Sequence, residues 1–259
     1  MSGSAESDVR VSTDGHVGIA EICRAPHNFF DIPLIRDLAA AFEAFDADPA
    51  IRCILLCAEG KNFCAGANFT SPARDTVGDR QGGHLYQQAV RLFRCETPIV
   101  AVVQGAAVGG GLGLALVADF RVASAESRFT ANFNRLGFHP GFGLSVTLPR
   151  VIGTQQAALL FYTGRRIDGV RAEAIGLVDV LAPADRLRDA AMELAREIAT
   201  SAPIAVASTR RTLRRGLADA VAAITDHELG EQQQHFLTAD FKEGVAAMAE
   251  RRAPAFQGR

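Results

Sequence analysis

No apolar run in these 259 residues approaches the ~18–20 that a membrane span requires, and the opening MSGSAESDVR is acidic, without the apolar stretch of a secretory signal. A cytoplasmic protein is expected. An excess of one charge is also missing: 27 Lys and Arg stand against 29 Asp and Glu, for a net charge of −2, so composition points to no polyanion and no nucleic acid partner. The nearest thing to a basic patch is Arg210, Arg211, Arg214 and Arg215, whose spacing predicts one solvated helical face. The five cysteines, Cys23, Cys53, Cys57, Cys64 and Cys95, are odd in number and have no C-x-x-C spacing, which argues against a disulfide framework and a zinc site. Cys53 and Cys57, in IRCILLCAEG, read as small buried hydrophobes. No long Pro, Ser or Gly linker interrupts the chain, so its parts are expected to pack on one another or on a neighbouring subunit.

What remains is an ordinary globular composition, 48% apolar and 22% charged. Short apolar runs at 17–23, 51–57, 98–105 and 118–124 read as strands. Helical patterns lie between them, over 33–47 with Asp31 as a cap, and over 81–95, which begins near His84 and Tyr86 and ends before Thr97-Pro98. Strand and helix in alternation imply an α/β fold with right-handed crossovers. From about residue 142 strand signals nearly vanish, and helices are expected at 144–151, 154–162, 183–200, 203–215, 217–237 and 240–251.

Two strand–turn–helix units, around 51–68 and 98–116, carry glycine at the turn. In the second, QGAAVGGGLGLALVADF, a phosphate loop fails: no Lys-Ser/Thr follows, and Leu116 takes the place of the third glycine of G-x-G-x-x-G. Taken by itself, the loop fits tight helix-on-strand packing equally well.

Together with EGKNFCAGANF at 59–69, however, this loop resembles the crotonase superfamily, the enoyl-CoA hydratases and isomerases, with their F-C-A-G-A-D and A-x-x-G-G-G stretches. Further segments are similar in the same order: Arg24-Ala25-Pro26-His27-Asn28, Leu148-Pro149-Arg150-Val151-Ile152-Gly153, Leu160-Phe161-Tyr162-Thr163-Gly164, Ala174-Ile175-Gly176-Leu177-Val178, and the ending from Asp240 through Phe256. The resemblance implies a crotonase-like ββα spiral core over 1–200 and a helical region over 201–259 that joins subunits into a homotrimer or a hexamer formed as a dimer of trimers. It implies an acyl-CoA substrate, with coenzyme A part of that substrate and no further cofactor or metal. The oxyanion hole would be formed by the backbone N–H groups of Ala67 and Gly110, which answer the negative charge that develops on a thioester carbonyl oxygen. Pro26, His27, Ala65, Gly66, Asn68, Phe69 and Gly109 would contact substrate or CoA.

The chain departs from the family where the hydratases carry two glutamates. Those positions are Gly113 and Phe133 here, and a third acidic position used by other branches is Gly141. Neither Gly nor Phe can perform general acid–base catalysis. Standard hydration is therefore not expected, and Gly113, Phe133 and Phe138 are placed in a more apolar acyl pocket. His139 and Tyr86 are the replacement acid/base candidates; Cys64 is read as a buried thiol. The expected activity is an acyl-CoA lyase or isomerase with non-standard acid/base residues. The alternative is a CoA-ester binding protein with little turnover. A Ser-His-Asp hydrolase is disfavoured because no serine follows the glycine triplet.

Overall fold

The computed structural model describes residues 8–68 and 84–259. The chain opens with a β-hairpin, β1 (Val9–Asp14) and β2 (Val17–Ile22), and then enters α1 (Ile32–Ala47). Asp31 caps α1 by accepting from Leu34 N at 3.0 Å, and Pro33 sits in its first turn, as the sequence predicts. After β3 (Cys53–Ala58) come α2 (Leu85–Arg94), β4 (Ile99–Val103), β5 (Ala106–Val108), α3 (Gly110–Ala115), β6 (Phe120–Ala123) and β7 (Arg128–Thr130). The second half contains α4 (Leu144–Ile152), α5 (Thr154–Thr163), β8 (Arg166–Asp168), α6 (Gly169–Ala174), β9 (Val180–Leu181), α7 (Leu187–Thr200), α8 (Pro203–Leu213), α9 (Leu217–His235) and α10 (Ala239–Glu250).

The main sheet has the order β1-β2-β3-β4-β6-β9, parallel except for the β1–β2 edge pair. Strands β2, β3 and β4 are buried at every residue, which explains their continuous apolar runs. Side-chain alternation divides the core. Val17, Ile19, Cys53, Leu55, Cys57, Val100 and Val102 face α7 through Leu187, Ala191, Ala195 and Ala199. The opposite face, with Ile22, Ile54, Leu56 and Val103, packs on α1, α2 and the glycine-rich segments.

A smaller sheet, β5-β7-β8, stands beside the first and was not read from the sequence. The expected strand 98–105 is β4, and Gly105 (φ +60) turns the chain before β5 begins at Ala106. Strands β1, β8 and β9 and helix α6 also escaped reading: β1 is mostly exposed and polar, and the others are too short to show a period. Of the helix expected at 81–95, the described part starts at Leu85; residues 81–83 lie outside the described residues.

The arginine cluster is corrected. Arg210 is buried, and its Nε lies 2.7 Å from Asp119, while Arg214 Nη1 reaches the other oxygen of Asp119 at 2.9 Å. Two of the four cations thus face inward, drawn there by a half-buried carboxylate that also accepts from Ile99 N at 2.8 Å. Only Arg211 and Arg215 keep largely to solvent. No helix among the described residues is long and apolar enough to cross a membrane.

Candidate active site

Two neighbouring turns each leave an amide without a partner among the described residues. In the first, Cys64 N donates to Ala106 O and Val108 N to Cys64 O, both at 3.0 Å, which lays the 59–68 loop alongside β5. Asn28, fully buried, holds the preceding loop against it: its Nδ2 donates to Glu59 O at 2.8 Å and Asn62 O at 2.7 Å. Gly66 has φ +84, and a Cβ there would lie 2.7 Å from Val108 O, so the turn requires glycine. Phe30 N donates to Gly66 O at 3.1 Å.

In the second turn Gly109 adopts φ 55 and ψ −121 and donates its N–H to Thr130 O at 2.8 Å. Gly110 then opens α3, so its N–H has no partner within the helix. A Cβ at Gly110 would come within 2.4 Å of the Phe30 ring, which rules out a side chain there without movement of Phe30. Among the described residues, neither Ala67 N–H nor Gly110 N–H donates a hydrogen bond. The nitrogen of Gly110 is only 3.7 Å from where a Gly66 Cβ would be, so the two turns touch.

Both amide-bearing residues line a cavity of about 200 Å³. Its walls are mainly apolar, with Phe29, Phe30, Leu85, Phe133, Leu136, Phe138, Phe142, Phe236 and Met248. Phe138 makes an aromatic cluster with Phe133, Phe236 and Phe241, with ring centroids 5.4–5.7 Å apart. The polar side chains on the wall are Asn68, His84, Tyr86, Asn132 and Gln232, and among the described residues no Asp, Glu, Lys or Arg lines the cavity.

The structure therefore brings Ala65, Gly66, Ala67, Asn68, Tyr86, Gly109, Gly110, Phe133 and Phe138 together around one space. Other expected residues fall elsewhere. Gly113 is a correction: it lies behind Phe142, whose Cβ would be 2.8 Å from a Cβ at Gly113, and does not line the cavity. His139 is not brought to the cavity wall either. Its Nδ1 lies 2.8 Å from Pro140 O, and its ring stands between His227 and His235 at centroid distances of 5.8 and 6.5 Å. Pro26 and His27 are exposed on a loop joined to the wall where Ala65 N donates to His27 O at 3.0 Å. Phe69 lies outside the described residues. Cys64 is fully buried, and burial pushes its thiol up to about 12.

Polar residues that carry no motif complete the site. Tyr86 Oη donates to Gln232 Oε1 at 2.8 Å, and Gln232 Nε2 donates to His139 O at 2.9 Å. His84 caps α2 by accepting from Tyr86 N at its Nδ1, 3.1 Å away. Burial drives the His84 imidazolium down and the Tyr86 phenol up, the latter reinforced by the nearby Glu228 carboxylate. Glu228 itself is buried behind the wall, where it accepts from Gly143 N at 2.8 Å and Ser145 N at 3.0 Å; burial outweighs these bonds and pushes its carboxyl up to about 7. The available sequence signal was the stripe Leu217, Val221, Thr225, Glu228, Gln232 along α9, where three polar residues occupy positions that should be apolar.

Comparison with known proteins gives a consistent result. The profile of the enoyl-CoA hydratase/isomerase family matches residues 15–259. A probable enoyl-CoA hydratase of Rhizobium meliloti (strain 1021) is 34% identical over 250 residues, covering 96% of this chain and 97% of its own. The probable enoyl-CoA hydratase echA12 of Mycobacterium bovis (strain ATCC BAA-935 / AF2122/97) is 37% identical over 85% of this chain and 81% of its own. The crystal structure of an enoyl-CoA hydratase/isomerase from Pseudoalteromonas atlantica T6c superposes with a TM-score of 0.88 at 32% identity, covering 96% of this chain and all of that one.

Proposed function

The chain belongs to the enoyl-CoA hydratase/isomerase family, and on that footing we propose that it polarises an acyl-CoA thioester in a hole formed by the amides of Ala67 and Gly110 and stabilises the resulting enolate. The observation that carries this reading is a pair of N–H groups, without a partner among the described residues, on adjoining turns of one apolar cavity. A developing oxyanion gains most from donors that are already fixed and shielded from water, and each is worth roughly 3–4 kcal/mol in the transition state. The reading requires no metal or redox group beyond the CoA that the substrate carries.

Acid–base chemistry in this site is non-standard. By the resemblance Phe133 aligns with one hydratase glutamate and Gly113 with the other; Phe133 lines the cavity and Phe142 covers Gly113. We place the protein among the lyases or isomerases acting on acyl-CoA, in the cytoplasm, as a homotrimer or dimer of trimers built through residues 201–259. A second reading, a CoA-ester binding protein with little turnover, is favoured by the lack of any carboxylate among the described wall residues. Calorimetric titration with acyl-CoAs, paired with turnover of a thioester panel, tests both. Binding with product is expected, with crotonyl-CoA hydrated far more slowly than by a glutamate-bearing hydratase. Ordinary hydration rates would refute the role assigned to Gly113 and Phe133, and binding without any product would favour the second reading.

A further inference from the structure

The hydrogen bonds around Tyr86 have a fixed direction. The carbonyl oxygen of His139 can only accept, so the Gln232 amide must turn its nitrogen toward it, 2.9 Å away. That leaves Gln232 Oε1 facing Tyr86 Oη at 2.8 Å, and an amide oxygen accepts only from a hydroxyl that carries its proton. His84 is fixed in the same sense. Its Nδ1 accepts from Tyr86 N, so in the neutral ring the proton sits on Nε2, which is buried and has no partner among the described residues.

His84 and Tyr86, the cap and first turn of α2, thus stand at the cavity wall in protonated form, the Tyr86 proton resting on Gln232 Oε1 until a stronger acceptor in the cavity takes it. The site for the phenol is also built to shape. A Cβ at Gly141 would lie 1.9 Å from Tyr86 Oη and 2.4 Å from Gln232 Nε2, so a side chain at this position would displace the pair. Gly141 directly precedes Phe142, whose ring stands 3.7 Å from where a Gly110 Cβ would be, so the 141–142 segment lies against both the hydroxyl and the start of α3.

Resting on the thioester reading above, we infer that Tyr86 is the acid that protonates the enolate carbon and that Gln232 is the positioning residue that aims its hydroxyl. In this step the Oη–H bond breaks and a C–H bond forms at the α-carbon. The enolate electrons become that bond while the thioester carbonyl reforms, and the electron pair left on Oη takes a proton back from water. In reverse, the tyrosinate removes an α-proton, so the step is visible as hydrogen exchange even where no net product forms.

The test measures deuterium incorporation at the α-carbon of butyryl-CoA, octanoyl-CoA and phenylacetyl-CoA in D₂O by mass spectrometry. It uses the full chain, Tyr86→Phe, Gln232→Leu and Gln232→Glu, with calorimetry on the same thioesters. The expected result is exchange by the wild type that rises with pH. Tyr86→Phe should slow it by roughly 10²–10⁴-fold, the usual contribution of a general acid–base group, with binding little changed. Gln232→Leu should slow it less, and Gln232→Glu, which still accepts from the phenol, should recover part of the loss. Exchange by Tyr86→Phe at the wild-type rate, or wild-type binding with no exchange, would overturn the assignment. Failure of the wild type to bind any thioester would instead overturn the reading of the cavity.

Discussion

Phe142 occupies the space in front of Gly113: with φ 63 at Phe142 the 141–143 turn lays its ring on α3, and a Cβ at Gly113 would approach the Phe142 Cβ to 2.8 Å. The space in front of Gly113 is therefore filled by an aromatic side chain. Gly113→Ala in a helix would ordinarily gain about 1 kcal/mol from helix propensity. Overpacking against a buried ring costs about 1–3 kcal/mol, so the net effect is expected to be destabilising. Urea unfolding of Gly113→Ala would show it as a lower midpoint; an unchanged or higher midpoint would mean that Phe142 yields. Gly113→Glu should not restore hydration of crotonyl-CoA.

Gly66→Ala should damage the proposed hole more than the fold. Its φ of +84 and the 2.7 Å approach to Val108 O leave no place for a methyl group, and any shift of the turn moves the Ala67 amide. Loss of one oxyanion donor predicts a fall in kcat of roughly 10²–10³-fold for whichever thioester the wild type turns over. Retention of wild-type kcat would remove Ala67 from the hole.

Glu228 predicts a pH dependence of stability. Its carboxyl titrates near 7 in the fold against an ordinary value of 4.5. Between those values the folded chain holds a proton that the unfolded chain has released, so this contribution is fully present below the unfolded value and is lost as pH rises through about 7. The size is on the order of 3 kcal/mol. Glu228→Gln keeps an acceptor for Gly143 or Ser145 but does not titrate. Chemical denaturation at pH 5 and pH 8 should show the variant gaining on the wild type at the higher pH, and equal differences at both would contradict the shift.

Asp119→Ala leaves Arg210 and Arg214 buried without their shared counter-ion. Breaking a buried charge cluster from one side costs roughly 3–5 kcal/mol, far more than the fraction of a kcal/mol expected for a solvated arginine face. A melting temperature close to wild type would return these residues to the surface role that their spacing suggested.

Cys64 should resist alkylation in the native protein and react once it is unfolded, because burial holds the thiol at about 12 and off the cavity wall. Peptide mass spectrometry after iodoacetamide treatment, with and without denaturant, separates the two states. Rapid native labelling of Cys64 would reopen its role as a nucleophile.

The turns of the proposed hole were legible in the sequence because they are shaped by backbone. A turn at positive φ and an approach closer than a methyl group allows admit only glycine, so Gly66, Gly109 and Gly110 leave their mark in the letters themselves. The buried strands β2, β3 and β4 and the cap at Asp31 were legible for the same kind of reason: period and chemistry are local. Tyr86 and Gln232 meet across 146 residues of chain, and Arg210 meets Asp119 across 91. Such pairs leave no local trace, since either partner alone reads as an ordinary helical residue. By itself the sequence determined the fold class and the two glycine turns. Which side chains complete the cavity, which position Phe142 closes and which cations turn inward were decided only when distant segments packed, because hydrogen bonding and desolvation depend on neighbours in space rather than along the chain.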